Sequence, residues 1–230
     1  MLTIITSDAL NAGYLLEKST LVADYSRLGK GITKRTIGAK EFLLVISGYG
    51  KVNTAMALTL AMQSERVDKI LCIGTAASIN ACELCCGDLA ISTGAYECDV
   101  DFTELGCPVS TFPNETIGIF DADKDMVTAA QTVAKAAPCK NKCVLFAGGD
   151  RFNVNENAAD CIARTNRAAV LDSETAAAAH FAFETDIPYI SIKGITNHAG
   201  AYALNEYLRY KSTAALLSQK VAEQFISAIV

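Results

Sequence analysis

Short apolar runs alternate along the chain with stretches in which apolar residues recur every three or four positions. Leu2 to Thr6, Phe42 to Ser47, Lys69 to Gly74, Asp88 to Thr93, Lys142 to Gly148 and Tyr189 to Thr196 read as strands. Most are apolar on both faces, as strands covered on both sides must be. Val52 to Glu65, Asp123 to Ala136, Asn155 to Thr165, Glu174 to Glu184 and Asn205 to Ile229 carry the helical period. This alternation predicts an α/β fold, a single domain over residues 1–230 built on a twisted mixed β-sheet sandwiched by helices. Gly48, Gly50, Gly74, Gly87, Gly94, Gly148 and Gly149 fall at strand ends, where ligand sites of α/β sheets gather. Pro108 and Pro113 bracket a weakly periodic stretch that reads as a long loop.

Composition narrows the class. The 230 residues are 51% hydrophobic and 20% charged, which is enough apolar material for one sizeable core. A net charge of -5, with basic residues scattered apart from Lys30, Lys34 and Arg35, provides no stripe for a nucleic-acid polymer. The first residues lack a charged leader and a cleavage site, and no apolar run reaches the roughly 18 residues of a membrane span. The expected location is the cytoplasm, with no membrane partner.

Nine cysteines, an odd number, argue against a closed disulfide framework. Cys82 and Cys85 form a C-x-x-C, but the only other pair, Cys139 and Cys143, is spaced C-x-x-x-C, and there are just two histidines. A zinc ribbon wants two tight knuckles, so reduced thiols acting as small hydrophobes are the expectation, with no metal. Cys72 reads as a buried strand residue.

The candidate chemistry begins at Val170-Leu171-Asp172-Ser173-Glu174-Thr175-Ala176. An apolar approach there delivers two carboxylates to the mouth of a helix. About twenty residues on, Lys193-Gly194-Ile195-Thr196-Asn197-His198 brings a polar amide to the end of another apolar strand. Carboxylates at such a junction can accept hydrogen bonds from vicinal hydroxyls, and the amide can reach what those hydroxyls are attached to. Sugar plus base is the ligand this layout suggests. Ser47-Gly48-Tyr49-Gly50-Lys51 matches neither the phosphate loop nor the dinucleotide fingerprint, and is a tight turn or a ligand-contacting loop. Gly74-Thr75-Ala76 could bind an anion or water, or simply turn.

In order and spacing, these segments resemble the purine nucleoside phosphorylase and nucleosidase superfamily, most closely the methylthioadenosine/S-adenosylhomocysteine nucleosidases. Ser47-Gly48-Tyr49-Gly50-Lys51-Val52 is similar to S-G-I-G-K-V, and Gly74-Thr75-Ala76 to G-S-A. Gly87-Asp88 and Asp99-Val100-Asp101-Phe102-Thr103 are similar to G-D and D-A-D-V-T. Gly149-Asp150-Arg151-Phe152 resembles G-D-A-F, and Leu171-Asp172-Ser173-Glu174-Thr175-Ala176 resembles V-E-M-E-A-T. The resemblance implies a partly closed sheet of the nucleoside phosphorylase type, a homodimer, a small-molecule purine nucleoside as ligand, and no metal or organic cofactor. It places Glu174 on the ribose hydroxyls, with Ser173 supplying backbone contact and Asp172 close by. It also places Phe152 on the purine face, Asn153 at the base edge, and Tyr49 and Tyr207 in the 5' pocket. Outside the resemblance, ordinary packing would account for Phe152 and Tyr207. Thr75 is the candidate ligand for a water or anion.

The implied reaction is cleavage of an N-glycosidic bond through an oxocarbenium-like transition state, with Glu174 stabilising the sugar and Asn197 acting at N7 of the base. Two departures from the pattern bear on it. The nucleosidases carry an Asp in an I-S-D motif where this chain has Ile195-Thr196-Asn197, and an amide donates a hydrogen bond but no proton. Asn is similar to what enzymes acting on 6-oxopurines carry, futalosine hydrolases among them. Near the N-terminus, where the nucleosidases place a Glu that activates water, stand Asn11, Ala12 and Gly13, with Asp8 the nearest carboxylate. Hexameric phosphorylases and uridine phosphorylases carry an Arg two residues before the glycine matching Gly74, and this chain has Cys72 there, although Arg27 or Lys30 could substitute. Three readings stand: a nucleosidase, first in rank; a phosphate-dependent phosphorylase or 6-oxopurine enzyme; and a non-catalytic nucleoside-binding relative.

Overall fold

The computed structural model describes residues 1–79, 84–152 and 155–229. In chain order the first half comprises β1 (Leu2–Thr6), α1 (Gly13–Lys18), β2 (Thr20–Asp24), β3 (Gly31–Ile37), β4 (Lys40–Ile46), α2 (Lys51–Ser64), β5 (Lys69–Ser78) and β6 (Leu89–Glu97). The second half comprises β7 (Phe120–Asp121), α3 (Lys124–Ala134), β8 (Asn141–Gly148), α4 (Glu156–Asn166), β9 (Val170–Asp172), α5 (Thr175–Thr185), β10 (Tyr189–His198) and α6 (Ala203–Ile229). The stretch between β6 and β7 is a long loop with one 3-10 turn at Thr103–Leu105, as the two prolines suggested.

All six strands and all five helices read from the pattern are present, with ends shifted by a few residues. Two strands and a helix near the N-terminus were not foreseen. β2 and β3 form the open edge of the sheet, and β2 is mostly exposed, so neither carries the two-sided apolar signal. The six-residue α1 is too short for a period to show. It ends where the buried Arg35 guanidinium donates to the carbonyls of Leu16 and Ser19, both at 3.0 Å.

The ten strands form one mixed sheet: nine run in the order β10-β6-β8-β9-β5-β1-β4-β3-β2, β7 pairs with β6 off this path, and β10 also pairs with β5. That extra pairing closes β5, β10, β6, β8 and β9 into a ring, while β1, β4, β3 and β2 extend from β5 as a wing. The sheet is therefore partly closed. Closure leaves the ring without free edges and crowds the carboxyl ends of β5, β8 and β10 around one mouth.

Alternate residues of the inner strands enter different cores. Leu2, Ile4, Leu71, Ile73, Ile190 and Ile192 pack beneath α6 and α3 against Phe225, Ile226 and Met126. Ile5, Val45, Ile70 and Cys72 pack on the opposite face against Ala57, Leu58 and the alanines of α5. Cys72 is fully buried, and Cys139 and Cys143 pack partly buried against the first core, so these thiols serve as small apolar residues. Cys82 lies outside the described residues. Among the described residues, no helix is long and apolar enough to cross a membrane.

Two glycines let helices reach the sheet. A β-carbon on Gly148 would lie 2.3 Å from that of Ala176, so α5 can start directly against the end of β8. A β-carbon on Gly194 would lie 2.2 Å from the carbonyl oxygen of Ala214, in the middle of α6. Backbone cannot yield as a flexible side chain can. Gly194→Ala should therefore push α6 off β10 and cost about 1–3 kcal/mol, as overpacking does. Urea denaturation checks this, and an unchanged midpoint would contradict the close approach.

Candidate active site

The closed end of the ring holds a cavity of about 460 Å3. Five chain segments wall it: Tyr49 to Asn53 opening α2, Thr75 to Ala77 on β5, Asp150 to Phe152 after β8, Leu171 to Glu174 between β9 and α5, and Thr196 and Asn197 on β10. Ser7 and Tyr207 complete it. The described residues thus include Tyr49, Thr75, Phe152, Asp172, Ser173, Glu174, Asn197 and Tyr207, every candidate site residue but one, all on one cavity. Asn153 lies outside the described residues.

The cavity is polar at its floor and aromatic at its rim. Glu174 and Asn197 are 3% and 2% exposed, whereas Tyr49 and Phe152 are 55% and 54% exposed. The Phe152 and Tyr207 rings meet edge to face with centroids 5.6 Å apart. The Tyr49 hydroxyl donates to Asp8, and burial together with that bond raises its pKa. Such a rim can accept a flat apolar group while the floor receives hydroxyls.

At the floor lies a residue that pattern reasoning passed over. Lys193 is fully buried, and its Nζ sits 2.9 Å from Asp172 Oδ2 and 3.2 Å from Glu174 Oε2. Asp172 also accepts from the Thr175 hydroxyl at 2.6 Å and from the Thr175 amide, which satisfies an open donor at the start of α5. Its oxygens therefore point into protein bonds. Glu174 holds one oxygen on Lys193 and accepts from the Ser173 hydroxyl with the other. Burial raises the Glu174 pKa, Lys193 opposes that rise, and the neighbouring Asp172 charge adds to it. Lys193 stays firmly protonated because the two carboxylates outweigh its burial. The sequence signal was available: a lysine inside a strand otherwise apolar on both faces needs a buried anion.

β10 carries a bulge. Ile195 pairs with Ala76 and Asn197 with Ala77, leaving Thr196 as the extra residue. Successive strand residues normally face opposite sides, and the bulge lets Thr196 and Asn197 both border the cavity. The Thr196 hydroxyl donates to Asn197 Oδ1 at 2.7 Å, which orients the amide. Asn197 Nδ2 donates one hydrogen to the His198 carbonyl at 3.1 Å, and its second hydrogen can serve a ligand.

A charged chain fixes the opposite wall. Lys51 Nζ lies 2.7 Å from both Glu97 and Asp99, and Glu97 accepts from His180 Nδ1 at 2.9 Å. Asp99 accepts from the Asp150 amide at 3.1 Å, and Asp150 accepts from the Lys51 amide at 2.9 Å. The loop carrying Phe152 is thereby tied to the start of α2. Although burial works against its charge, Glu97 stays below the usual carboxylate range through His180 and Lys51. Glu97 and His180 are further residues that the sequence pattern did not single out.

The N-terminal segment brings no free base to the cavity. Asp8 accepts from the Asn11 amide at 2.9 Å, from Asn11 Nδ2 at 2.8 Å and from Tyr49. Ala12 is buried in the core. Asn11 Oδ1 and Thr6 Oγ1 are buried without hydrogen-bond partners, 3.5 and 3.4 Å from where a β-carbon of Gly74 would sit. Of the cations proposed for phosphate, Arg27 donates to Gln63 and the Leu60 carbonyl, at the far end of α2. Lys30 is held by Asn53, and Lys51 is occupied by Glu97 and Asp99.

A two-carboxylate floor, an aromatic rim and a strand-end amide thus share one mouth of the partly closed sheet, an arrangement suited to a ligand with hydroxyls and a flat ring. The model of the phosphorylase superfamily matches residues 3–229, and the chain belongs to that superfamily. Within it, a 5'-methylthioadenosine/S-adenosylhomocysteine nucleosidase from Staphylococcus carnosus is 30% identical over 217 residues, covering 94% of each chain. Another from Halalkalibacterium halodurans is 30% identical over 184 residues, 80% of this chain and 79% of that protein. Two solved structures share the fold. The nucleosidase of Neisseria meningitidis, in complex with methylthio-immucillin-A, superposes with a TM-score of 0.94 at 23% identity over 99% of both chains. Futalosine hydrolase of Helicobacter pylori gives 0.92 at 20% identity over 98% of this chain and 97% of that one.

Two outcomes test these contacts. Replacing Lys193 by Met leaves two buried carboxylates without a counter-ion, so Glu174 should bind its proton more tightly and the acid limb of kcat/KM should move to higher pH. Stability should fall by about 3–5 kcal/mol; a pH profile identical to wild type would contradict the coupling. His180, raised above its ordinary value first by the Glu97 bond, contributes stability that is full below about pH 6.5. That contribution is lost as pH rises through the raised value. Thermal melts should show this slope in the wild type and lack it in His180→Gln.

Proposed function

We propose that this chain is a purine nucleoside N-ribosyl hydrolase of the methylthioadenosine/S-adenosylhomocysteine nucleosidase type, releasing free base and the ribose product. The observation that carries the reading is Glu174, a buried carboxylate braced by Lys193 at the floor of a cavity whose other polar wall is Asn197. Glu174 takes the ribose hydroxyls, with Ser173 beside it and Asp172 holding the helix start and Lys193. As the glycosidic bond breaks, positive charge grows on the sugar, and Glu174 stabilises it from the buried floor of the cavity. Phe152 stacks on the base with Asn153 at its edge, Asn197 donates to N7, and Tyr49 and Tyr207 receive the 5' substituent. No catalytic step requires a metal or organic cofactor.

Water is the favoured acceptor. Position 72, where phosphorylases carry Arg, is a thiol buried in the core, pushed up to about 11 by burial. Thr75 and Ser7 on the cavity wall supply polar contacts for a water rather than positive charge for phosphate. A second reading, hydrolysis of a 6-oxopurine nucleoside, is favoured specifically by Asn197, whose remaining N–H can serve N7 or an oxo group at C6.

A homodimer in the cytoplasm fits the surface and the thiols. Val52, Leu105 and Phe183 are 77%, 72% and 52% exposed on elements joined through the Lys51–Asp99 and His180–Glu115 contacts. Size-exclusion chromatography with light scattering tests the dimer. No cysteine among the described residues is in a disulfide, which suits a reducing compartment.

The purified protein should release base and free ribose product from one or more of methylthioadenosine, S-adenosylhomocysteine, adenosine, inosine and guanosine in phosphate-free buffer. Release only with phosphate would make it a phosphorylase, and tight binding without release would make it a non-catalytic relative. Glu174→Gln should cut kcat/KM by about 10²-fold or more, as loss of a transition-state electrostatic contact does. Asn197→Asp should raise the rate on adenine nucleosides relative to inosine; an unchanged ratio would remove Asn197 from base selection.

A further inference from the structure

Cys86, His198 and Glu206 come from three separated segments, yet their donor atoms all lie within 4.8 Å of one another. Cys86 Sγ is 3.9 Å from His198 Nδ1, across 112 residues of chain. The same nitrogen is 3.3 and 3.2 Å from the two carboxylate oxygens of Glu206. From these contacts we infer that Cys86, His198 and Glu206 form a zinc site with solvent as fourth ligand.

The geometry and the donor set carry the inference. A tetrahedral ion with sulfur at about 2.3 Å and nitrogen and oxygen at about 2.0 Å separates its donors by roughly 3.3–3.6 Å. The nitrogen–oxygen separations already fit, and Cys86 must approach the nitrogen by about half an ångström and the carboxylate, now within 4.8 Å, by up to about 1.3 Å. One thiolate, one imidazole and one carboxylate suit zinc better than magnesium or calcium, which prefer all-oxygen shells. An ion pair between His198 and Glu206 would explain two of the three groups but not the thiol beside them. The His198 and Glu206 side chains are each 31% exposed, so solvent can reach the open position.

The spacing rules out a zinc ribbon, and this site is of another kind, assembled by the fold from one of the cysteines and distant partners. His198 is the last residue of β10, one past Asn197, and Glu206 lies in the first turn of α6, one before Tyr207. Zinc would tie the strand end bearing the amide to the helix bearing the 5'-pocket aromatic. On binding, the Cys86 thiol gives its proton to solvent and the thiolate donates its electron pair to the metal, so binding tightens as pH rises.

The test is titration of the demetallated full chain with Co2+, a spectroscopic stand-in, followed by Zn2+. One equivalent of Co2+ should give a thiolate-to-cobalt charge-transfer band that Zn2+ abolishes. The band should vanish in Cys86→Ser, persist in Cys85→Ser, and require about tenfold or more Co2+ in Glu206→Gln. Circular dichroism of each variant, with the metal-free nucleoside turnover of Cys86→Ser, establishes that the fold is intact. Absence of a band at one equivalent, survival of the band in Cys86→Ser, or its loss in Cys85→Ser would overturn the assignment.

Discussion

Lys193 sits between Asp172 and Glu174 with no exposed surface, and the rest of the site is arranged around that triangle. Two carboxylates and one ammonium leave a net negative charge at the largely buried floor of the cavity. Burying such a charge costs several kcal/mol, and the Thr175 and Ser173 hydroxyls only partly offset it. A core built for stability alone would place apolar residues here. The arrangement makes chemical sense when a ligand offers hydroxyls to the remaining acceptor positions of Glu174 and then develops positive charge beside it. The structural cost is largest where the electrostatic benefit in a transition state is largest.

The sheet positions this triangle through two local irregularities. Closing the ring brings β9 and β10 to opposite edges of β5, so that Asp172 and Lys193 meet although twenty-one positions separate them in the chain. Gly148 lets α5 begin against β8 and thereby holds Glu174 at the floor. The bulge at Thr196 turns Asn197 to the same cavity. On the other wall, the chain from His180 through Glu97, Lys51 and Asp99 to Asp150 sets the loop bearing Phe152. Floor and rim are thus held by separate networks, and a change in one need not disturb the other.

The double-sided apolar runs made the inner strands legible, because burial on both faces leaves no choice of residue. The edge strands β2 and β3 were not legible, since half-exposed strands with Lys34 and Arg35 carry no such signal. Glu174 and Asn197 stood out because polar residues ended apolar segments. Lys193 lies in the same strand as Asn197, but its meaning depends on Asp172 and Glu174 lying opposite it in space. Glu97 and His180 were invisible for a related reason: each sits amid ordinary-looking sequence, and only the packing of β6 against α5 pairs them. Pairings across long chain separations are what a single sequence hides.

The chemistry left to this pocket is asymmetric, and that asymmetry bears on its substrate. A positioned general acid is worth roughly 10²–10⁴ in rate, and Asn197 can deliver only a hydrogen bond. Asp8, the nearest carboxylate at the N-terminal side, already accepts from Asn11 and Tyr49. Neither departure of the base nor attack of water is therefore driven by proton transfer from an ideally placed side chain. On the proposed reading, what remains is stabilisation of the sugar cation by Glu174 and orientation of the base by Asn197 and Phe152, which line the same cavity. Such a site works best on a nucleoside whose base can carry negative charge as it leaves. A 6-oxopurine does so by spreading charge onto its oxo group, so a single hydrogen bond from Asn197 to either acceptor would help it leave. The absence of a carboxylic acid at position 197 is thus a chemical argument about the leaving group, and it holds whichever 5' substituent the aromatic rim accepts.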